Sequence, residues 1–263
     1  MTAIDLPLVR TRAAEIAALF PDVRAVLAAA HSMLGDYADL THRPTRTVEA
    51  VTQTAPRTPM PVVRAIISAL RQPVQDVPLA GLDLVKGLWA AGSREERRLA
   101  AELLGRLVPE IPAEAYALIE TWLPQMDDAE TADAVAEHAF APLLLAEPGR
   151  HLQTIRRWMN YPHSSTRRCG LAALGVLARD KKWDDVPGAL DILRAAMTEA
   201  DMEVRRAAAA ALGDLIPKSP MEVRRFLHEQ ALRPNNNTHW IIRTAMAKLP
   251  AEEQEELVKV MRL

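Results

Sequence analysis

The sequence predicts an all-α protein built from repeated helical hairpins, and three observations lead to this prediction. Apolar residues recur at three- and four-residue spacing almost everywhere after Pro61, which is the period of a helix with one buried face. The strict alternation of apolar and polar residues that is typical of a strand is nowhere sustained. In addition, one short segment recurs along the chain at the spacing of helical-hairpin repeats.

The composition is that of a folded protein without an evident metal or cofactor site. With 49% hydrophobic and 25% charged residues among 263, the chain can bury a sizeable core, and its formal net charge is only -2. The single cysteine, Cys169, excludes an internal disulfide and a thiolate zinc cluster, and the seven histidines show no metal-binding spacing. We therefore expect no cofactor, no metal, no membrane span and a cytoplasmic location.

Residues 1–57 differ in character from the rest of the chain. Residues 8–40 favour helix, whereas the prolines that follow, as far as Pro61, stop helix propagation. We predict a helical N-terminal addition and Pro-rich linker over residues 1–57, and a HEAT-like repeat domain over residues 58–263. So short an addition buries little core alone, so we expect it to dock on the repeats.

The repeat is carried by three segments that each begin with two arginines and end in glycine: residues 97–105, 167–175 and 205–213. Their second arginines, Arg98, Arg168 and Arg206, are 70 and 38 residues apart. Because 70 is two steps of 35, a further copy should centre on Asp133. A ragged last copy around Arg243 is typical of a terminal capping repeat. This spacing predicts a right-handed solenoid of HEAT-like helical hairpins, whose concave face is the expected binding surface.

Charge is distributed unevenly along the repeats. Residues 110–147 contain nine acids and no lysine or arginine, whereas residues 150–182 contain eight basic residues and one acid. Residues 205–233 form a weaker basic block, with six basic residues and three acids. The basic blocks predict DNA as a partner, and the acidic 110–147 face offers a protein-binding surface.

Arginine predominates in the basic blocks, which suits forked contacts with phosphate oxygens. The predicted DNA-binding residues are Arg156, Arg157, Arg168, Lys181, Lys182, Arg205, Arg206, Arg224 and Arg225. Two other interpretations stay open. Arginines at the start of a repeat's second helix commonly pair with an acid of a neighbouring repeat, and clustered charges elsewhere can belong to a solvated face.

Several short motifs share their order and spacing with a known family. They lie at residues 88–89, 95–104, 131–133, 137–138, 157–159, 221–227 and 242–249. In this order they resemble the DNA alkylation repair proteins of the HEAT-like type, and the resemblance covers roughly residues 58–249.

The resemblance implies an enzyme that removes cationic alkylated purines from duplex DNA by hydrolysing the N-glycosidic bond. In that family an aspartate stabilises the developing sugar cation, and an arginine of the following repeat holds the DNA backbone. Asp133 matches the aspartate and Arg168 matches the arginine. A base that already carries a positive charge leaves readily, so a nearby carboxylate can suffice without a strong general acid.

This chain departs from the family at the two tryptophans that flank the damaged nucleotide. Ala129 and Ala210 stand at the matching positions. Base stacking on an aromatic face contributes about 1–3 kcal/mol, so their loss should slow the reaction. Trp240, Trp183 and Tyr161 are the aromatic residues that could replace them, whereas the apolar patterns around Trp89, Trp122 and Trp158 predict core positions.

Three functions therefore stay open. Asp133 and Arg168 favour an active glycosylase, with Asp133 as the catalytic residue. The basic block over residues 150–182 favours a non-catalytic reader of damaged or branched DNA. The acidic segment and the near-neutral total charge favour a HEAT-like protein–protein scaffold. Asp133 could equally be an ordinary first-turn acid stabilised by the helix dipole.

Overall fold

The computed structural model describes residues 4–38 and 57–261, and their regular structure is helical. The helices are α1 (Leu6–Ala18), α2 (Val23–Asp36), α3 (Met60–Asp76), α4 (Pro78–Ala91), α5 (Arg94–Leu107), α6 (Pro112–Trp122), α7 (Ala129–Ala134), α8 (Ala141–Ala146), α9 (Pro148–Trp158), α10 (Ser164–Arg179), α11 (Val186–Ala196), α12 (Met202–Leu215), α13 (Pro220–Ala231), α14 (Asn236–Ala245) and α15 (Ala251–Val260). The prediction of an all-α fold is confirmed.

The chain divides into two compact units, and the first is Met1–Ala115. Within it α1, α3 and α5 pack side by side in one layer, and α2 packs on α4 in a second layer. Gly81 of α4 lies so close to Val74 of α3 that an added Cβ would stand 2.9 Å from the Val74 carbonyl oxygen. The glycine therefore allows the close approach of these two helices.

The second unit, Tyr116–Leu263, carries the basic blocks and most of the acidic segment. The second helix of each hairpin lies in one layer, and we call these helices the second helices. In this layer α10 packs against α7 and α12, and α12 packs against α14. The first helix of each hairpin lies in the other layer, and we call these helices the first helices. In this layer α11 lies between α9 and α13, and α15 packs on α13. Two layers of hairpins with a continuous apolar core between them are the arrangement of HEAT-like repeats.

Three of the second helices in this unit, α7, α12 and α14, begin at a side-chain cap. Asp128 accepts a hydrogen bond from the Thr131 main-chain N–H at the start of α7, and Asp201 and Asn235 cap α12 and α14 in the same way. Each cap satisfies main-chain donors that a helix start leaves unpaired.

The predicted repeat register is found in the structure. Arg98, Asp133, Arg168 and Arg206 are each the fifth residue of their helix, in α5, α7, α10 and α12. The ragged copy at Arg243 lies in α14. Within the second unit, this register places Asp133 of α7 in contact with Arg168 of α10.

The predicted core tryptophans are buried: Trp89, Trp122 and Trp158 are 4%, 1% and 0% exposed. The N-terminal helices lie against the first repeats, where the Thr58 hydroxyl donates a 2.8 Å hydrogen bond to the Leu34 carbonyl. The predicted linker lies largely outside the described residues, and the boundary at residue 57 stays a prediction. Among residues 4–38 and 57–261, no helix is long and apolar enough to cross a membrane.

Candidate functional site

Asp133 and Arg168 lie on neighbouring second helices and form a two-pronged ion pair. Arg168 Nε donates to Asp133 Oδ1 over 2.9 Å, and Arg168 Nη2 donates to Asp133 Oδ2 over 2.6 Å. This forked geometry fixes both the position and the plane of the carboxylate. The structure thus brings together the two residues that the sequence analysis matched to the family's aspartate and arginine.

The other edge of the Arg168 guanidinium is held by the next repeat. Arg168 Nη1 donates to the main-chain carbonyl of Glu203 over 2.8 Å and to Glu203 Oε2 over 3.1 Å. Glu203 in turn forms an ion pair with Arg206, three residues along α12. Two carboxylates and two guanidiniums therefore form a connected row, the Asp133 row, across α7, α10 and α12.

Solvent exposure differs along the Asp133 row, and Arg168 is its most shielded member. The side chain of Asp133 is 35% exposed and that of Arg168 is 14% exposed. Burial raises the pKa of Asp133 above its ordinary value, and the nearby acids Glu137 and Glu203 also raise it, while Arg168 opposes them. The result is a fixed, partly accessible carboxylate, the kind of group that can stabilise a cation close to it.

The helix that carries Asp133 is irregular just after it. Residues Val135–Phe140 form a π-helical segment between α7 and α8. Behind this segment Phe140 packs on Trp158, with ring centroids 4.6 Å apart, and edge-on against the buried His151 at 5.2 Å. An aromatic cluster therefore supports the segment, which begins two residues after Asp133. Such π-helical turns often accompany functional sites.

A second charged row crosses the same layer of helices and was missed from the sequence. Asp214 of α12 accepts hydrogen bonds from Arg179 of α10 over 2.7 Å and from Lys248 over 2.8 Å. Arg179 also lies 3.5 Å from Glu137. The repeat period could have found much of both rows, because residues 133, 168 and 203, and likewise 179 and 214, are steps of 35 residues.

The alanines at the two tryptophan positions are both accessible to solvent. Ala129 is partly exposed and Ala210 is exposed. Of the proposed replacements, Trp183 is buried, at 5% exposed, with Lys218 over its ring. Trp240 lies on α14 beneath the Arg205 guanidinium, 5.4 Å from the ring centroid, and Tyr161 is partly exposed after α9.

The predicted DNA-binding residues occupy both layers of helices. In the layer of first helices, α9 carries Arg156 and Arg157, and α13 carries Arg224 and Arg225. The layer of second helices carries Arg168, Arg205 and Arg206. Lys181 and Lys182 follow the end of α10. The set is therefore spread over two layers of helices.

Many of these cations already have acidic partners. Arg157 donates to Glu120 over 2.5 Å, and Arg224 donates to Glu253 over 3.0 Å. The remaining pairs are Arg168 with Asp133 and Glu203, Arg206 with Glu203 and, at 3.9 Å, Arg225 with Glu229. Lys181, Lys182, Arg156 and Arg205 have no carboxylate partner in the described part of the chain. The roles of all nine in DNA binding stay a prediction.

Among the described residues, no group of three or more His, Cys, Asp or Glu side chains is arranged so that it could hold a metal ion. Cys169 is buried in α10, and burial raises the pKa of its thiol. A thiol held in its neutral form is a poor nucleophile. The Asp133 row therefore remains the group with the clearest chemical capacity.

One solved structure has a fold similar to that of this chain. A structure of Pseudomonas fluorescens alkylpurine DNA glycosylase AlkC, bound to DNA containing an abasic site analog, matches with a TM-score of 0.56 and 15% sequence identity. The match covers 97% of this chain and 66% of that chain, so the present chain spans just under two thirds of the relative. An engineered protein matches with a TM-score of 0.43 at 15% identity, covering 97% of this chain and 100% of that chain.

Curated proteins gave no significant match. The family model described as DNA alkylation repair enzyme, however, matches residues 58–249, which is most of the chain and includes Asp133, Arg168 and Glu203. This chain therefore belongs to the DNA alkylation repair family.

Proposed function

We propose that this protein binds DNA and hydrolyses the N-glycosidic bond of cationic alkylated purines, with Asp133 as the catalytic carboxylate. The observation that carries the proposal is the forked ion pair of Asp133 with Arg168, which holds a partly exposed carboxylate in a fixed orientation. The family membership and the solved glycosylase with a similar fold support it.

In the proposed reaction the bond between the sugar C1′ and the base nitrogen breaks, and its electron pair goes to the base. The departing purine thereby loses its positive charge, and the sugar becomes an oxocarbenium ion. Water adds at C1′ and releases a proton to solvent, which leaves an abasic site. Asp133 stabilises the sugar cation, because a preorganised negative charge acts most strongly on charge that develops in the transition state.

We expect the reaction to be slow on simple methylated purines. Arg168 offsets part of the negative charge of Asp133, and neither Ala129 nor Ala210 can stack on a base. Two missing stacking contacts of about 1–3 kcal/mol each correspond to several orders of magnitude in rate. Introducing Ala129→Trp together with Ala210→Trp should therefore raise base release.

A combined binding and release assay tests the proposal. Gel-shift titrations with duplex, nicked and junction DNA at several salt concentrations measure binding, and release of methylated bases from alkylated duplex measures activity. Binding with base release supports the glycosylase. Binding without release by the wild type or by the double tryptophan variant leaves a non-catalytic DNA reader.

A protein–protein scaffold is the second candidate, and one observation favours it. Most of the arginines in the predicted DNA-binding set are paired with carboxylates, for example Arg157 with Glu120 and Arg224 with Glu253. Paired cations attract phosphate less than free ones because the acid cancels their field. Absence of DNA binding even at low salt would support the scaffold.

A further inference from the structure

We propose that Arg168 and Glu203 are positioning residues for Asp133, and that Arg168 acts by holding this carboxylate. The inference rests on the proposed role of Asp133 for its effect on catalysis. The arrangement itself is a feature of the folded protein without DNA, so it can be tested separately.

The hydrogen bonds of Arg168 divide its donors between two repeats. Nε and Nη2 face the two oxygens of Asp133, and Nη1 faces the main-chain carbonyl and one side-chain oxygen of Glu203. Nε also donates to the Ala129 carbonyl over 3.3 Å. A guanidinium is planar. The hydrogen bonds that Glu203 accepts from Nη1 therefore orient the opposite edge of the group, Nε and Nη2, towards Asp133.

This arrangement leaves Arg168 poorly suited to hold a DNA phosphate. A guanidinium has five N–H groups, and only one Nη2 N–H of Arg168 remains without a partner among the described residues. A phosphate at that point would also meet the negative charges of Asp133 and Glu203. Arg206 at the end of the row is a better candidate for phosphate contact, since its side chain is 60% exposed.

The negative charge of Glu203 raises the pKa of Asp133. Asp133 faces three charged groups: Arg168 lowers its pKa, whereas Glu137 and Glu203 raise it. Replacing Glu203 by glutamine removes one like charge and leaves the positive charge of Arg168 less shared. Both changes favour the ionised carboxylate, so the pKa of Asp133 should fall. Arg168→Lys removes the forked contact, so the pKa of Asp133 should rise.

Carbon-13 NMR of aspartate carboxyl groups measures this directly in the full-length protein, with Asp133→Asn identifying the resonance. The matched control is Glu199→Gln. Glu199 also accepts a forked pair of hydrogen bonds from an α10 arginine, Arg167, over 2.8 and 3.2 Å, but it is not part of the Asp133 row. We expect the Asp133 titration to move to lower pH in Glu203→Gln, to higher pH in Arg168→Lys, and to stay at the wild-type position in Glu199→Gln.

An unchanged Asp133 titration in Glu203→Gln, or an equal shift in Glu199→Gln, overturns the inference. In an active enzyme, the acid limb of the pH profile of base release should move with the NMR titration, without a matching change in thermal stability. If the wild type releases no base, the proposed function fails, while the titrations of Arg168→Lys and Glu203→Gln together still decide whether these two residues control the Asp133 carboxylate in the folded protein.

Discussion

Asp214 lies between Arg179 and Lys248, and its two carboxylate oxygens each accept a hydrogen bond from one of them. The three residues belong to successive repeats of the second unit. Asp214 is 22% exposed, whereas both cations are more than half exposed. The contact therefore joins the edges of three repeats at a surface that water reaches.

Asp214→Asn should lower the free energy of unfolding by about 0.5–1 kcal/mol at low salt, the range of a solvent-screened pair with more than one partner. Urea unfolding at low and at 1 M salt measures the effect, which should shrink as salt rises. Asp191→Asn is the control, because Asp191 is exposed on α11 and has no ion pair within the described residues. Equal losses in both variants would mean that the row contributes nothing specific.

Gly81→Ala should destabilise the first unit by about 1–3 kcal/mol, the usual result of overpacking. Its Cβ would meet the Val74 carbonyl oxygen at 2.9 Å and a methyl group of Val74 at 2.8 Å. Gly149 of α9 has nothing within 4 Å of an added Cβ, so Gly149→Ala should leave stability unchanged or raise it. Thermal unfolding compares the two, and a Gly81→Ala variant as stable as wild type would contradict the close approach of α3 and α4.

His151 should make stability fall below about pH 6.5, its ordinary pKa. Burial, and next the charge of Arg150, lower the pKa of His151 in the folded protein. Just below pH 6.5 the unfolded chain therefore binds a proton at His151 that the folded chain does not bind. The free energy of unfolding decreases as the pH falls from the ordinary pKa of histidine towards the lower pKa of His151 in the folded protein. His151→Phe should flatten the pH dependence of urea unfolding between pH 7 and 5. If the free energy of unfolding depended on pH equally in both proteins, protonation of His151 would not destabilise the folded state.

DNA affinity should depend most on cations that lack an acidic partner. Replacing Arg156, Lys181 and Lys182 with alanine should flatten the log–log salt dependence by about 0.9 for each phosphate that the variant no longer neutralises. Arg224→Ala is the control, because Arg224 is paired with Glu253. Fluorescence anisotropy with duplex DNA measures both slopes. A larger change in the control would contradict the expectation that cations without an acidic partner dominate DNA binding.

The repeat register was predictable from the sequence because local rules determine it. Helix caps and apolar spacing are properties of single helices. The steps between Arg98, Asp133, Arg168 and Arg206 follow the repeat length. The partner of Arg168 on its far side was not predicted, although Glu203 lies 35 residues further on. A period identifies equivalent positions, but side-chain rotamers decide which of several nearby acids each arginine contacts.

The distribution of the basic residues between two helix layers could not be inferred from the charge of each segment either. Arg156 and Arg157 are separated from Arg168 by a single loop, yet they lie on opposite layers of the hairpin. A linear block of charge therefore does not define a surface. The departure at the two aromatic positions, in contrast, was visible in the sequence, because Ala129 and Ala210 are small whatever the packing.

The most direct test of the central claim is base release from duplex DNA containing a single cationic methylated purine, measured under single-turnover conditions for wild type and Asp133→Asn. We expect slow but measurable release by wild type and a loss of at least about 100-fold in the variant, as when one preorganised charge is removed from a transition state. DNA binding by Asp133→Asn should be equal or slightly tighter, since a negative charge near the phosphates is lost. Equal release rates in the two proteins would contradict a catalytic role for Asp133.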